Sequence, residues 1–329
     1  MCNTYYIGWD VGAWNCPQKK FAAQSQDCIT VFVDDDKGEL KLIWAWMGNV
    51  SSKICVPFLE FINGLASDKP DNADNIIEND KIKFTIGQED KIIVAIDASL
   101  GLPQNAVTIA NLGDTATVIE QNDLSRANNP MIYRYTEQWI DKNVFGNKGN
   151  PPLSAIQNQI GSQATKALYA LKKMGFTWNN TEYIWSIKNI KAIENIKAIE
   201  TYPTACKKII GQKVKQLAEQ LNNFLMQENK SKSHDNSVVH YKNENICWWL
   251  PQAPQKPPER YIMRYSDLLD SAICALTAKE YKNGSVNTPK NLNFSPGEKD
   301  RIASIASEGW IWIPWPKENK TENSSCPTP

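Results

Sequence analysis

Two apolar segments of the chain each end in an aspartate, and they constrain the fold more than any other feature. The first runs from Tyr5 to Asp10 and is followed by Gly12, and the second is the near-continuous apolar run from Ile92 to Asp97. Such runs are typical of strands, and aspartate is depleted in strand interiors. Asp10 followed by Gly12 is also typical of a hairpin turn. Because two strands end in the same way, a shared site at one edge of a sheet is favoured.

The length and charge of the chain limit its organisation and its partners. A chain of 329 residues suits one domain with insertions or two modest domains. We predict one domain over residues 1–315, with insertions at about 104–152 and 227–258 and a disordered polar tail at 316–329. Acidic and basic residues balance at 36 each. This balance argues against tight, non-specific nucleic-acid binding, which depends on phosphate neutralisation, but it leaves a local basic groove possible.

The cysteines and histidines argue against several kinds of site. The eight cysteines form no C-x-x-C pair, and several, such as Cys28 and Cys274, lie in apolar segments. We therefore predict buried free thiols in a reducing cytoplasm. The two histidines, His234 and His240, share one polar stretch, which disfavours a histidine-based zinc site or a Ser-His-Asp triad. We see no signal-peptide pattern and no apolar run of about 18 residues, so we expect a cytoplasmic protein without a membrane span.

The apolar pattern of the first hundred residues predicts three antiparallel strands, a helix and a central strand. The acids at 34–36 precede Gly38, which indicates a solvated hairpin turn rather than a metal site. A serine at position 51 or 52 can cap the helix. The predicted elements are strands at 5–10, 27–34, 39–47 and 91–97 and a helix at 53–65.

The remainder of the chain is predicted to be mainly helical. The segment 183–202 is strand-like at both ends and contains a tandem hexamer, 189–194 followed by 195–200. A period this short cannot build a solenoid, so we interpret the repeat as a local duplication that lengthens a hairpin or loop. Further elements are expected as helices at 133–143, 152–173, 204–224 and 267–281, the last capped by Ser266, and as a short strand at 309–315.

The segment 227–258 is rich in lysine and asparagine and ends in a proline-rich connector. Its composition cannot support a core. We predict a surface excursion or an arm that binds a protein partner.

A third acidic element is formed by Asp267 and Asp270. A spacing of three residues places both carboxylates on one face of a helix. Acids in a first helical turn also interact favourably with the helix dipole, and this alternative explains Asp267 better than Asp270.

Acids at two strand ends and on one helix are what a two-metal phosphodiester site requires. Hard cations such as Mg²⁺ or Mn²⁺ prefer carboxylate oxygens, and two of them about 4 Å apart can clamp the attacking and leaving oxygens of a displacement. We therefore predict that Asp10, Asp97, Asp267 and Asp270 bind metal, with Asp10 as the bridging ligand.

The order of these elements resembles the RNase H-like superfamily, and the D…D…D-x-x-D pattern is similar to that of the Holliday-junction resolvases. More specifically, the chain resembles the family called domain of unknown function 429, whose members are predicted nucleases. The resemblance spans residues 5 to about 315. The matching segments are Ile7-Gly8-Trp9-Asp10, Ile96-Asp97-Ala98-Ser99-Leu100-Gly101-Leu102-Pro103, Arg134-Tyr135-Thr136-Glu137, Ile199-Glu200-Thr201-Tyr202-Pro203, Asp267 to Ala278 and Glu308 to Pro314.

The resemblance implies an α/β fold, with an RNase H-like mixed sheet of an antiparallel meander plus parallel strands flanked by helices. It also implies that Glu200 joins the catalytic residues Asp10, Asp97 and Asp270. Arg134 becomes a candidate for contact with a substrate phosphate, and Glu137 a candidate for a structural ion pair. A salt bridge between Arg134 and Glu137 is the alternative. Ser99 departs from the pattern, since it stands where the family tends to have a proline.

Three functions are compatible with these features. The leading hypothesis is a Mg²⁺- or Mn²⁺-dependent nuclease that acts on DNA or RNA, possibly single-stranded or branched. The second is an actin-like, ATP-using phosphotransferase, which would need a Gly-rich phosphate loop, poorly represented by residues 108–117. The third is a non-catalytic binding module that uses tryptophans such as Trp248, Trp310 and Trp312 to stack on bases.

Overall fold

The protein is built on an eight-stranded mixed sheet with helices on both faces. The computed structural model describes residues 3–12, 27–48, 57–65, 86–87, 89–111, 129–146, 152, 154–156, 158–188, 195–231, 259–291 and 299–316. The strands are β1 (Thr4–Asp10), β2 (Asp27–Asp34), β3 (Leu40–Gly48), β4 (Lys91–Asp97), β5 (Thr177–Asn179), β6 (Ile184–Ile187), β7 (Ile196–Thr201) and β8 (Ile311–Trp312).

The described helices pack on this sheet, and none of them is long and apolar enough to cross a membrane. They are α1 (Pro57–Leu65), α2 (Gln104–Ala110), α3 (Tyr135–Asn143), α4 (Asn158–Met174), α5 (Pro203–Ile209), α6 (Gly211–Ser231), α7 (Glu259–Lys282) and α8 (Lys299–Glu308).

The sheet has the strand order β3-β2-β1-β4-β7-β6-β5. The first three strands form the predicted antiparallel meander, and β4 then pairs with β1 in parallel. The next strand, β7, is parallel to β4. Parallel neighbours place their carboxyl ends at the same edge of a sheet. The predicted α/β fold with a mixed sheet is therefore confirmed.

Alternation along β1 decides which side chains meet α7. Successive side chains of a strand point to opposite faces of the sheet. Tyr6 belongs to the core cluster that includes Leu268 and Ala272 of α7. Ile7 and Trp9 belong to the cluster on the other face, with α1 and α4. Even-numbered positions of β1, including Asp10, therefore share the face against which α7 packs.

A glycine at the centre of β1 lets α7 lie directly on the strand. A Cβ atom built at Gly8 would lie 1.7 Å from the carbonyl oxygen of Ser271, so no larger residue fits without movement of the backbone. The Ser271 hydroxyl donates to the Gly8 carbonyl oxygen at 2.9 Å and lies 3.0 Å from the Thr30 hydroxyl. This contact fixes the position of α7 along β1 and hence that of the acids next to Ser271.

Several element boundaries differ from the sequence prediction. Helix α7 begins at Glu259, so Ser266 lies inside the helix instead of capping it. The helix expected at 204–224 is two helices, α5 and α6, separated at Ile210. The second of them extends to Ser231, into the segment expected to be a polar excursion. A helix, α2, also forms where irregular structure was expected, and α4 begins at Asn158, after the predicted Pro152.

Some predicted segments lie outside the described residues. They are the start of the first helix at 53–56, the first hexamer copy at 189–194, the segment 232–258, and the tail from 317.

Replacement of Gly8 by alanine should strongly destabilise the protein. The new methyl group must push α7 away from β1, and overpacking of this kind costs about 3 kcal/mol. We expect Gly8→Ala to lower the melting temperature measured by circular dichroism. Gly211→Ala is the matched control, because nothing lies within 4 Å of a Cβ atom there. Equal melting temperatures for Gly8→Ala and wild type would contradict the close packing of α7.

Candidate carboxylate site at the ends of β1 and β4

Asp10 and Asp97 lie opposite each other at the ends of two neighbouring strands. They are direct register partners in the parallel pair of β1 and β4. Neighbouring strands are about 4.8 Å apart. The expectation that these two acids lie on adjacent strands is confirmed, and their role as metal ligands stays a prediction.

Helix α7 brings Asp267 and Asp270 to the same place. Asp270 precedes Ser271, whose hydroxyl is anchored on the Gly8 carbonyl, two residues before Asp10. Both helix carboxylates are half-buried. Because α7 begins at Glu259, neither acid lies in its first turn. The alternative explanation of Asp267 as a helix-start charge is therefore wrong.

The four carboxylates interact strongly with one another. Burial raises the pKa of Asp10 well above its ordinary range, and the charges of Asp97, Asp267 and Asp270 raise it further. Burial likewise raises the pKa of Asp97, where Asp270 has the largest effect among the neighbouring charges. Burial and the charge of Asp270 raise the pKa of Asp267 to about 6. The fold therefore gathers four carboxyl groups whose simultaneous ionisation is unfavourable.

Lys207 on α5 is a partner that sequence reasoning missed. Its Nζ lies 2.5 Å from Oδ1 of Asp270, and its side chain is 35% exposed. Its charge also lowers the pKa values of Asp97 and Asp267. The sequence offered one signal for Lys207. This lysine lies one turn into a helix that follows the end of strand β7.

The donor atoms suit a hard cation, although the described side chains are not arranged as a finished metal site. Among the described residues, no three carboxylate, thiol or imidazole groups stand ready to hold one metal ion. Carboxylate oxygens are the ligands preferred by Mg²⁺ and Mn²⁺. Burial and nearby carboxylates raise the pKa values of Cys28 and Cys274, so these thiols stay protonated and are poor ligands for soft metals.

Arg134 is fully buried, and its contact with a substrate phosphate stays a prediction. Its Nε and one terminal nitrogen donate to Oε1 of Glu137 at 3.0 and 2.8 Å. Its two terminal nitrogens also donate to the two oxygens of Glu200 at 2.8 and 2.5 Å. The alternative, an ion pair between Arg134 and Glu137, is the arrangement observed. The fork geometry of the guanidinium explains how one side chain serves both carboxylates.

Glu200 belongs to this buried ion cluster, which leaves little capacity for a metal. Besides the two bonds from Arg134, its Oε2 accepts the backbone N–H of Leu100 at 2.8 Å. The predicted catalytic role of Glu200 is therefore not supported by its contacts. Instead, Glu200 holds the turn that follows Asp97. Ser99 joins the same cluster through its hydroxyl, which accepts from Arg134 at 3.4 Å.

Glu308 joins two helices to this cluster, a role that no local sequence signal indicated. Its Oε1 accepts the backbone N–H of Gln104, the first residue of α2, at 2.8 Å. Its Oε2 accepts the N–H of Tyr135, the first residue of α3, at 3.1 Å. Its backbone carbonyl accepts from Arg134 at 3.1 Å. One carboxylate thus satisfies donors at two helix starts, where unpaired N–H groups concentrate.

A second buried ion pair lies beside Asp10. Lys166 of α4 pairs with Asp27, and both side chains are fully buried. Asp27 also accepts from the indole N–H of Trp9 at 2.9 Å and from the backbone N–H of Gly12 at 3.2 Å. These bonds hold the chain where it leaves β1. The charge of Asp27 adds to the shift that raises the pKa of Asp10.

The tryptophans considered as base-stacking platforms are core residues where the structure describes them. Trp310 and Trp312 are buried, and Trp310 packs at 5.6 Å from Trp139. Trp248 lies outside the described residues. Stacking of bases on Trp310 or Trp312 is therefore not supported.

Comparisons with protein families, curated proteins and solved structures find no match to this chain. The geometry and the chemistry of the carboxylate site are therefore the features that indicate a function.

Removal of the Asp10 charge should stabilise the metal-free protein in a pH-dependent way. Because its folded pKa is raised, the folded state holds more protons than the unfolded chain above about pH 4, and stability falls as pH rises through the raised values. We expect Asp10→Asn, measured in EDTA, to raise the melting temperature at pH 8 by roughly 2–4 °C, the effect of about 1 kcal/mol. The gain should disappear near pH 4.

Asp36→Asn is the control for this measurement, because Asp36 is an exposed acid in the turn between β2 and β3. A lower melting temperature for Asp10→Asn at pH 8 would show that the four carboxylates do not repel one another.

Proposed function

We propose that the protein is a nuclease that depends on Mg²⁺ or Mn²⁺ and hydrolyses phosphodiester bonds of nucleic acid. One observation carries the proposal: Asp10 and Asp97 face each other across β1 and β4, and α7 adds Asp267 and Asp270. Clustered buried carboxylates with raised pKa values are uncommon away from functional sites. Their mutual repulsion is relieved when a divalent cation binds among them.

The charges of Asp97, Asp267 and Asp270 all raise the pKa of Asp10, and those of Asp270 and Asp267 raise the pKa of Asp97. These four carboxylates would be the residues that hold the cations. Two bound ions would supply the positive charge that stabilises the attacking and leaving oxygens of an in-line displacement.

The protein supplies the rigid frame for this chemistry. Asp10 and Asp97 are the last residues of β1 and β4, whose other side chains are buried apart from Lys91, so their backbone positions are fixed by the core. Leu268 and Ala272 pack into the same core and hold the helix that carries the remaining acids. The backbone that carries the four acids is therefore held by the core, which limits the backbone reorganisation needed when charge develops on the phosphate.

The strand order gives indirect support to the proposal that the substrate is a nucleic acid. Three antiparallel strands followed by parallel strands fit the RNase H-like resemblance noted in the sequence. Because the whole chain carries no net charge, substrate contacts must be local. Lys207 and Lys208 on α5 are cations on the element beside the carboxylates.

The alternative of an ATP-using phosphotransferase gains no support from the fold. Part of the segment considered for its phosphate loop, Thr108 to Ala110, lies in helix α2, and residues 112–117 lie outside the described residues.

Loss of a single carboxylate should abolish metal-dependent cleavage. We expect Asp10→Asn and Asp97→Asn to lower the cleavage rate of the preferred substrate at least about 100-fold, because each removes charge from the cation site. Asp267→Asn and Asp270→Asn should also be impaired, since both acids face the same site. The measurement is cleavage of single-stranded, duplex and branched DNA and RNA in Mg²⁺ and in Mn²⁺, with Asp36→Asn as the control.

Two outcomes would contradict the nuclease proposal. Full cleavage by Asp10→Asn would indicate a contaminating enzyme. An inactive wild type together with ATP hydrolysis that Asp10→Asn abolishes would favour the phosphotransferase.

A further inference from the structure

The turn that follows Asp97 is buried, although connecting segments commonly run over a protein surface. Residues 98–100 are all buried. The backbone N–H of Leu100 donates to Oε2 of Glu200 at 2.8 Å, and its carbonyl oxygen accepts from the indole of Trp185 at 3.3 Å. A buried turn needs such partners, because its backbone polar groups cannot reach water. The structure around the turn therefore decides how the chain leaves the carboxylate site.

The backbone of Glu308 lies directly on this turn. A Cβ atom built at Gly101 would lie 1.9 Å from the carbonyl oxygen of Glu308 and 2.6 Å from its carbonyl carbon. The same oxygen accepts from Arg134 at 3.1 Å. Gly309 follows with a φ of +90°, a left-handed conformation that lets the chain leave α8 and enter β8. The turn and the end of α8 are therefore in contact through backbone atoms, with no room for a side chain between them.

The carboxylate of Glu308 holds the other end of the same turn. Its Oε1 accepts the N–H of Gln104 at 2.8 Å, while Oε2 accepts the N–H of Tyr135 at 3.1 Å. Glu308 is only 4% exposed, so these bonds are shielded from water. One residue thus contacts the turn at Gly101 through its backbone and at Gln104 through its side chain.

The segment that follows Glu308 is itself fixed to the sheet. Strand β8 pairs in parallel with β7, and Ile311 is the register partner of Glu200. The N–H of Ile311 also donates to the hydroxyl of Thr136 at 2.9 Å. Because β7 is the neighbour of β4, Glu308 ties the turn after Asp97 to the strand beside it.

We propose that Glu308 is a positioning residue for the carboxylate site, which acts on Asp97 through the turn at 98–104. With Glu308 in place, the turn is held at both ends and the chain leaves Asp97 in one direction. Without it, both ends of the turn lose a contact and the chain can leave Asp97 along other paths. The catalytic consequence rests on the proposed function, whereas the link between Glu308 and the turn is a property of the fold alone.

Hydrogen exchange of backbone amides in the full chain, measured by NMR in EDTA, tests this link. In Glu308→Ala the N–H of Gln104 loses its acceptor, so faster exchange there is expected from any role of Glu308. The N–H of Leu100 is the diagnostic group, because it donates to Glu200 and not to Glu308. We expect Leu100 to exchange at least about tenfold faster in Glu308→Ala, while the amides of β1 and β2 accelerate much less.

Two further variants test the link even if Glu308→Ala folds poorly. Glu308→Gln retains one acceptor oxygen for two N–H donors, so the acceleration at Leu100 should be smaller than in Glu308→Ala. Gly101→Ala leaves the carboxylate intact, but its methyl group must push the Glu308 carbonyl away, so it should accelerate exchange at Leu100 as well. Glu182→Ala is the control for the loss of an acid, because that side chain is 47% exposed, and Gly211→Ala is the control for the added methyl group.

The catalytic consequence is measured as a split between kcat and KM. On the substrate that wild type cleaves, Glu308→Gln should lower kcat about tenfold with little change in KM, because a displaced Asp97 affects the reacting centre more than it affects the binding of the strand. Glu182→Ala should match wild type in both constants.

The possible results separate the role of Glu308 from the proposed function. Wild-type exchange at Leu100 in both Glu308→Ala and Gly101→Ala would overturn the inference and leave Glu308 as a helix cap. Acceleration in β1 and β2 as large as that at Leu100 would also overturn it, since a general loss of stability would explain both. An unchanged kcat in Glu308→Gln despite faster exchange at Leu100 would overturn the positioning of Asp97. Local acceleration at Leu100 without cleavage by wild type would remove the nuclease proposal and keep the link between Glu308 and the turn.

Discussion

The close packing of α7 on β1 is the constraint on which the candidate site depends. Gly8 lets the helix backbone approach to a distance that no side chain would tolerate, and Ser271 fixes the register through its bond to the Gly8 carbonyl. Two acids of α7 are thereby set beside Asp10 and Asp97. A helix further from the sheet, or shifted by one turn, would carry the same acids elsewhere. A glycine in the middle of a strand therefore determines the geometry of the candidate site.

That geometry is held against electrostatic repulsion by the surrounding fold. Four acids with raised pKa values destabilise the metal-free state, and structural strain of this kind is common at functional sites. Buried ion clusters on either side fix the backbone around them. Arg134 with Glu200 secures the turn after Asp97, and Lys166 with Asp27 secures the chain after Asp10. These charges are paired and enclosed, whereas the charges at the site are left largely unpaired.

Local patterns in the sequence were sufficient for the strands β1 to β4 and for the acids at the ends of β1 and β4, whereas β5 was not predicted. The apolar runs before Asp10 and Asp97 and the spacing of Asp267 and Asp270 depend only on neighbouring residues. The partners of Arg134 could not be predicted from local patterns, because they include residues as distant in sequence as Glu308. For the same reason the double role of Glu308 at two helix starts carried no local signal. The Lys207–Asp270 contact joins two helices far apart in the chain, so it too appears only in three dimensions.

Diffraction from a crystal soaked in Mn²⁺ would test the central claim most directly, because the anomalous signal locates the metal without assumptions about activity. We expect anomalous peaks among Asp10, Asp97, Asp267 and Asp270, the residues that would hold the cations. A map with Mn²⁺ bound elsewhere and no peak among these carboxylates would contradict the proposed metal-dependent function.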